Sequence, residues 1–155
     1  MLKKRQNLSL EFQTALWATQ FARAKTLLKQ ISKTYSARKG VPHLELSIEY
    51  LQMGTILYEA KDNLTESISF VLKSLEALGY NIVACPPGNT SNEPVFEVTA
   101  WGQSHEHVVM SFLVLARVYK TVAPQLCTAA RRCAEMAYTM NYGEKESFGA
   151  SFPYD

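Results

Sequence analysis

The chain has 155 residues, enough for one domain with a real hydrophobic core, and its 47% hydrophobic against 19% charged residues excludes a disordered chain. A net charge of +2 spread along the chain lacks the basic stripe of a nucleic-acid reader, and no apolar run reaches the roughly 18 residues a membrane span needs. Three cysteines, Cys85, Cys127 and Cys133, form no CxxC pair and no even framework, which fits a reducing compartment: the cytosol, with the nucleus as the alternative.

In chain order, residues 1–8 carry Lys3, Lys4 and Arg5 with no apolar h-region behind them, and read as a frayed, solvated end. From Ser9 to about Arg38, Leu10, Trp17, Phe21, Ala24, Leu28, Ile31 and Tyr35 recur at helical spacing, predicting one helix, long enough to accommodate a kink, closed by Gly40 and Pro42. A second helix runs from His43 to Ala60, with Leu44, Ile48, Leu51 and Tyr58 on one face and Leu46, Tyr50, Met53 and Leu57 on the next. Asn63 and Glu66 have the spacing of a capping box for a third helix, which Gly79 closes with Tyr80 behind it. Residues 81–103 break the periodicity with Pro86, Pro87, Gly88, Asn89, Asn92 and Pro94 and read as a long loop, from which Val95, Phe96, Val98 and Trp101 could fold back onto the core. Ser104 is placed to cap a fourth helix with Val108, Phe112, Leu115 and Tyr119 inward. Pro124 opens a fifth, with Leu126, Ala130, Cys133, Ala137 and Met140 as its buried stripe. Gly143 ends it, and residues 143–155 read as an irregular tail anchored by Phe148, Phe152 and Tyr154.

The fold expected is therefore all-α: a single domain over 1–155, with about five antiparallel helices packed as TPR-like hairpins. An internal repeat supports the pairing. A shift of 62 positions brings Leu51, Met53, Gly54 and Leu57 onto Leu113, Leu115, Ala116 and Tyr119, and Ser67 and Val71 onto Ala129 and Cys133. Those are the places where a helical hairpin needs packing residues and small residues at the close crossing.

The run Leu46 to Tyr80 with its SFVLKSLEALGY segment, Trp101-Gly102, HVVMSFLVLARVY, Ala123 to Leu126 and the closing AYTMNYGEKESF together resemble the C-terminal TPR-like helical domain of fungal-type SET-domain proteins, relatives of the SET- and MYND-domain lysine methyltransferases. The likeness covers roughly residues 15 to 150, and the catalytic SET domain has no counterpart in it. The resemblance thus implies an accessory domain that flanks a substrate cleft and offers a surface to other proteins, with no methyltransferase activity from this chain alone.

Candidate chemistry is sparse. His105, Glu106 and His107, at the loop-to-helix junction, form the densest polar cluster and are the candidates for proton transfer. No metal site is expected, because histidines two apart on a helix diverge. Seven aromatics, Trp17, Phe21, Tyr50, Trp101, Phe112, Tyr119 and Tyr138, are the candidates to line an apolar ligand cavity, although aromatic stripes at helical spacing are also what an ordinary core shows. No glycine-rich phosphate loop occurs and no cofactor is expected.

Two functions are compatible with these residues. The first is a stand-alone helical-repeat module that binds a protein or peptide partner. The second is a cofactor-independent small-molecule cyclase or isomerase of a biosynthetic pathway, holding an apolar substrate in a reactive conformer with the long loop as its lid. Neither nucleic acid nor membrane is an expected partner.

Overall fold

A computed structural model describes residues 2–35, 42–85 and 95–143. The chain divides into two compact units, Met1–Gly79 and Tyr80–Asp155. The first holds α1 (Leu2–Trp17), α2 (Phe21–Lys33), α3 (Leu44–Glu59) and α4 (Leu64–Glu76); the second holds β1 (Asn81–Cys85), β2 (Val95–Ala100), α5 (Glu106–Val122) and α6 (Pro124–Tyr142). Helices pair with their sequence neighbours, α1 with α2, α3 with α4 and α5 with α6, so the fold is mostly α and built of antiparallel hairpins.

Among the described residues six helices stand where about five are expected, because the long first segment is two helices. At the break Thr19 adopts a left-handed backbone with φ 58°. Its N–H reaches Leu16 O at 3.2 Å while the Gln20 N–H reaches Ala15 O at 2.9 Å. This is the bond pair of a Schellman ending, made with a β-branched residue where glycine is usual, so no composition signal marks it. The turn resets the helical phase. The face expected from Leu10 and Trp17 is consequently wrong for α1: Leu10 is 68% and Trp17 80% exposed, and Phe12, Ala15 and Leu16 are buried instead. In α2 the expected Ala24, Leu28 and Ile31 are buried.

Nor is the start frayed, since α1 begins at Leu2. Arg5 fastens this end: its Nε donates to Thr34 Oγ1 at 2.9 Å, its Nη2 donates to Thr34 O at 2.6 Å, and its guanidinium lies 3.8 Å from the Tyr35 ring centroid.

Two serines and a glycine set the α3–α4 packing. Ser47 Oγ donates to Ser74 O at 2.6 Å, and Ser74 Oγ donates back to Ser47 O at 2.7 Å. Two turns further along α3, Ser67 Oγ of α4 donates to Gly54 O at 2.6 Å. A Cβ built on Gly54 would stand 2.6 Å from Val71 Cγ2 and 3.0 Å from Ser67 O, so this crossing admits no side chain. The core of this unit lies beneath, among Phe12, Leu16, Leu28, Ile31, Met53 and Leu57.

Asn63 caps α4 as expected, its Oδ1 accepting from the Glu66 N–H at 3.0 Å. The Glu66 carboxylate instead takes Lys25 Nζ at 2.8 Å, tying α2 to α4. Gly79 has the expected left-handed φ, at 93°.

In the second unit the expected loop contains an antiparallel pair of strands. Asn81–Cys85 and Val95–Ala100 pair antiparallel, with Ile82 opposite Val98 and Ala84 opposite Phe96. The alternation of Val95, Phe96, Glu97 and Val98 is a period-two pattern too short to stand out beside the flanking turn formers. Phe96 is buried as anticipated, its ring 5.6 Å from Tyr119 and 6.4 Å from Phe112.

His105, not Ser104, is the N-cap of α5, and Pro124 stands in the first turn of α6 as expected. The buried stripe of α6 is Leu126, Ala130, Ala134, Ala137 and Tyr138, whereas Met140 is 58% exposed and Cys133 half-buried. The internal repeat is corrected accordingly. The shift of 62 holds between α3 and α5, where Met53, Gly54 and Leu57 meet the buried Leu115, Ala116 and Tyr119. Between α4 and α6 the shift is 63, bringing Ser67, Val71 and Ser74 onto the buried Ala130, Ala134 and Ala137. The expected cap at Gly40, the turn at Pro86 to Pro94 and the aromatic tail beyond Gly143 lie outside the described residues.

Replacing Gly54 with alanine is expected to destabilise the first unit by about 1–3 kcal/mol, because Val71 and the Ser67 carbonyl must both give way. Urea denaturation read by far-ultraviolet circular dichroism measures this loss.

Candidate functional site

Among the described residues a groove with polar chemistry lies in each unit. In the second unit, His105 has an extended backbone (φ −158°, ψ 150°) and its Nδ1 accepts the His107 N–H at 3.2 Å. Because His105 stands outside the helix, the two imidazoles do not diverge as helical geometry suggests: the two Nδ1 atoms are 2.9 Å apart. One proton must sit between them. With His105 Nδ1 already accepting a backbone N–H, the consistent network has His107 Nδ1–H donating to it. Burial, and then the neighbouring His105, push His107 down to about 4, with Glu106 opposing them. At neutral pH the imidazole is therefore uncharged and a weak base.

His107 lines a groove of about 250 Å³ with Glu106, Val109, Met110, Tyr138 and Tyr142. Glu106 Oε2 accepts the Tyr142 hydroxyl at 3.1 Å, and the Tyr138 and Tyr142 rings are 4.8 Å apart. The structure thus brings His105, Glu106, His107 and Tyr138 to one place. Among the described residues no group of three or more His, Cys, Asp or Glu is placed to hold a metal ion.

Of the other candidate aromatics, three lie in each unit. Trp101, Phe112 and Tyr119 pack ring on ring with Tyr80 and Phe96, Trp101 lying 5.5 Å from Tyr80 and 5.7 Å from Phe112. Burial pushes Tyr80 and Tyr119 up to about 12, so both phenols stay protonated. Trp17, Phe21 and Tyr50 belong to the first unit: Trp17 stands in solvent, Phe21 rests against the core, and Tyr50 stacks on Phe70 at 6.3 Å. Cys133 is pushed up to about 11 by burial, which makes it an unreactive thiol.

The groove that sequence reasoning missed lies between α1 and α3. It measures about 470 Å³ and is lined by Arg5, Gln6, Ser9, Leu10 and Gln13 of α1 and by Glu45 of α3. Gln13 Nε2 donates to Gln52 Oε1 at 2.7 Å across the two helices. At this junction Glu49 of α3 is only 7% exposed, and neither carboxylate oxygen has a hydrogen-bond partner. Desolvation raises its pKa most. The nearby Ser9 hydroxyl lowers it, Glu45 raises it further, and Arg5 opposes. The buried Tyr35 hydroxyl also lacks a partner, and its pKa is raised by burial against the nearby Arg5. A carboxylate inside an amphipathic helix pattern reads as a solvated position, so only the packing exposes its burial.

Two pH effects follow. His107 binds a proton less readily folded than unfolded, so its contribution to stability is present above about 6.5 and is lost as pH falls toward 4. Acidification across that window is expected to cost the second unit on the order of 2 kcal/mol more in the wild type than in His107→Gln. Urea melts followed by Trp101 fluorescence in a Trp17→Phe background measure the difference. Glu49 has the opposite sign: its raised pKa stabilises the fold at low pH, and the benefit is lost as pH rises through its titration. Glu49→Gln is expected to raise stability at pH 7 by about 1 kcal/mol and to leave it nearly unchanged at pH 4, read from thermal melts at the two pH values.

No family model matches the chain. No solved structure matches it. A curated relative from the fungus Gibberella zeae, described as "Methyltransferase", is 38% identical over 128 residues, which is 82% of this chain and 18% of that protein. The chain thus spans less than a fifth of that relative's length.

Proposed function

We propose that this chain is an accessory helical module that holds a protein or peptide partner in the α1–α3 groove. It serves recognition beside a methyltransferase rather than methyl transfer itself. The observation that carries the reading is the groove: about 470 Å³ of concave space, with the exposed Leu10 as apolar anchor among Arg5, Gln6, Ser9, Gln13 and Glu45. An apolar contact ringed by convergent polar groups is the usual chemistry of peptide recognition. Backbone rigidity supports it, because α1 is held at its start by Arg5 and at its end by the Thr19 turn. The likeness to the C-terminal domain of SET-domain proteins supports an accessory role, as does a fungal relative named for methyl transfer in which this segment is 18% of the length.

The cyclase alternative draws no comparable support. Its candidate base His107, held down to about 4, is a weak base near neutrality.

Screening the full chain against a peptide library is expected to yield ligands whose amide-shift footprint falls on α1 and the start of α3. Leu10→Glu should weaken them at least tenfold, about 1.4 kcal/mol, without changing the circular dichroism, since Leu10 is 68% exposed. Ligands that bind the variant with undiminished affinity would refute the groove as the docking site.

A further inference from the structure

Glu49 is the least explained group in the molecule. Burying a carboxylate costs several kcal/mol unless a cation or a set of donors compensates it. At 7% exposure, with no full hydrogen bond on either oxygen, Glu49 has only the nearby Ser9 hydroxyl and the charge of Arg5 in its favour. A resident cation stands close by in Arg5, yet its guanidinium is committed to Thr34 Oγ1 at 2.9 Å, to Thr34 O at 2.6 Å and to the Tyr35 ring at 3.8 Å. The other groups that act on Glu49 are Ser9 and Glu45, and these two and Arg5 all line the α1–α3 groove. The carboxylate therefore lies behind the groove wall, with a hydroxyl and a second carboxylate on the groove side.

The corresponding position in the other hairpin makes the contrast plain. A shift of 62 places Ser111 of α5 there, equally buried, and its hydroxyl is satisfied by donating to His107 O at 3.1 Å. A small, self-satisfied polar residue suffices for the packing at that place in a hairpin, so the charge at Glu49 is not required by the fold.

Resting on the groove reading above, we infer that Glu49, assisted by Ser9 and Glu45, is the subsite for a basic side chain of the bound partner, an ammonium or guanidinium that enters the α1–α3 groove and completes the carboxylate's hydrogen bonding. The partner segment then combines an apolar residue against Leu10 with a lysine or arginine reaching Glu49. The occupant is a cation rather than an anion, because Glu45 lines the groove, the Glu49 carboxylate lies behind its wall, and Arg5 is already engaged. An ordered water bridging Glu49 and Tyr35 is the competing occupant.

The test uses the full chain, labelled with nitrogen-15, titrated with N-acetyl-lysine methylamide and with the neutral isostere N-acetyl-norleucine methylamide. The lysine probe is expected to shift the amides of Ser9, Glu45 and Glu49 with saturation in the millimolar range, while norleucine leaves them in place. Glu49→Gln should weaken the lysine probe at least tenfold with its helical circular dichroism intact. Equal shifts from both probes, no shift at these amides, or undiminished binding to the variant would each overturn the subsite and leave water as the occupant. The groove reading fails separately: library peptides that bind the groove with no preference for a basic residue sink the subsite alone. A lysine probe that binds while no peptide does sinks the peptide reading alone.

Discussion

Two backbones that approach too closely for side chains set the geometry of the first unit. Along α3, Ser47 and Gly54 face α4, and along α4, Ser74 and Ser67 face back in reverse order, each hydroxyl ending on a carbonyl of the opposite helix. Serine hydroxyls in this position do two jobs: they are small enough for the crossing, and they satisfy themselves on carbonyls that already serve the helix ladder. Because the contact fixes the rotation of α3 about its axis, it also decides which α3 residues turn toward α1. Met53 and Leu57 go into the core, and Glu49 goes to the α1 side, where it would never be placed by its own transfer energy. The buried carboxylate is thus carried inward by a helix whose orientation is determined elsewhere.

Much of this was legible in the residues, and the failures have specific causes. Gly54, Ser67 and Val71 stand out because small residues interrupting an apolar stripe mark close approach, and they meet in the structure. The cap at Asn63, the left-handed Gly79 and the proline in the first turn of α6 follow from local chemistry that tertiary packing has no reason to override. The turn at Thr19 was illegible for the converse reason. A threonine there pays the left-handed penalty itself, compensated by two backbone bonds and by the cover that α2 gives Phe12 and Leu16, and the sequence carries no glycine to announce it. Across that turn a continuous helical face is out of phase, so Leu10 and Trp17, which share the apolar spacing, are exposed. The same two residues then mark α1 as a helix with an apolar edge on its outer side.

The sites differ in the kind of information they need. His105, Glu106 and His107 are consecutive, so the sequence brings them together whatever the fold, but their mutual geometry depends on where the helix starts. A one-residue change in the cap, from Ser104 to His105, converts two divergent rings into a pair sharing a proton at 2.9 Å. That proximity argues against acid–base work near neutrality, since protonating either ring places a cation against the other in a half-buried setting. Glu49, by contrast, is assembled from α1 and α3 and has no local signature. The charge pattern of α3 offers Glu45, Glu49 and Glu59 as equivalent polar positions, and only the packing against α1 separates the buried one from the exposed two.

An unpaired buried carboxylate is a burden to the unliganded fold and an asset to the complex, and the two are linked by one quantity. The desolvation that raises the Glu49 pKa has already been spent when a cation arrives, so the incoming group loses only its own hydration and gains an undiminished Coulomb partner in a medium of low effective dielectric. A surface carboxylate offers no such advantage; the exposed Arg23–Glu11 pair, at 3.7 Å, illustrates how little a solvated ion pair adds. Selectivity follows from the same source. A neutral side chain entering the groove meets the Leu10 face as well as a basic one does, but it leaves Glu49 as it was, so discrimination between partners comes from the polar subsite while the apolar contact supplies affinity common to both. Pre-paid desolvation of this kind belongs to a recognition surface, and it accounts for a charge that the hairpin architecture does not need.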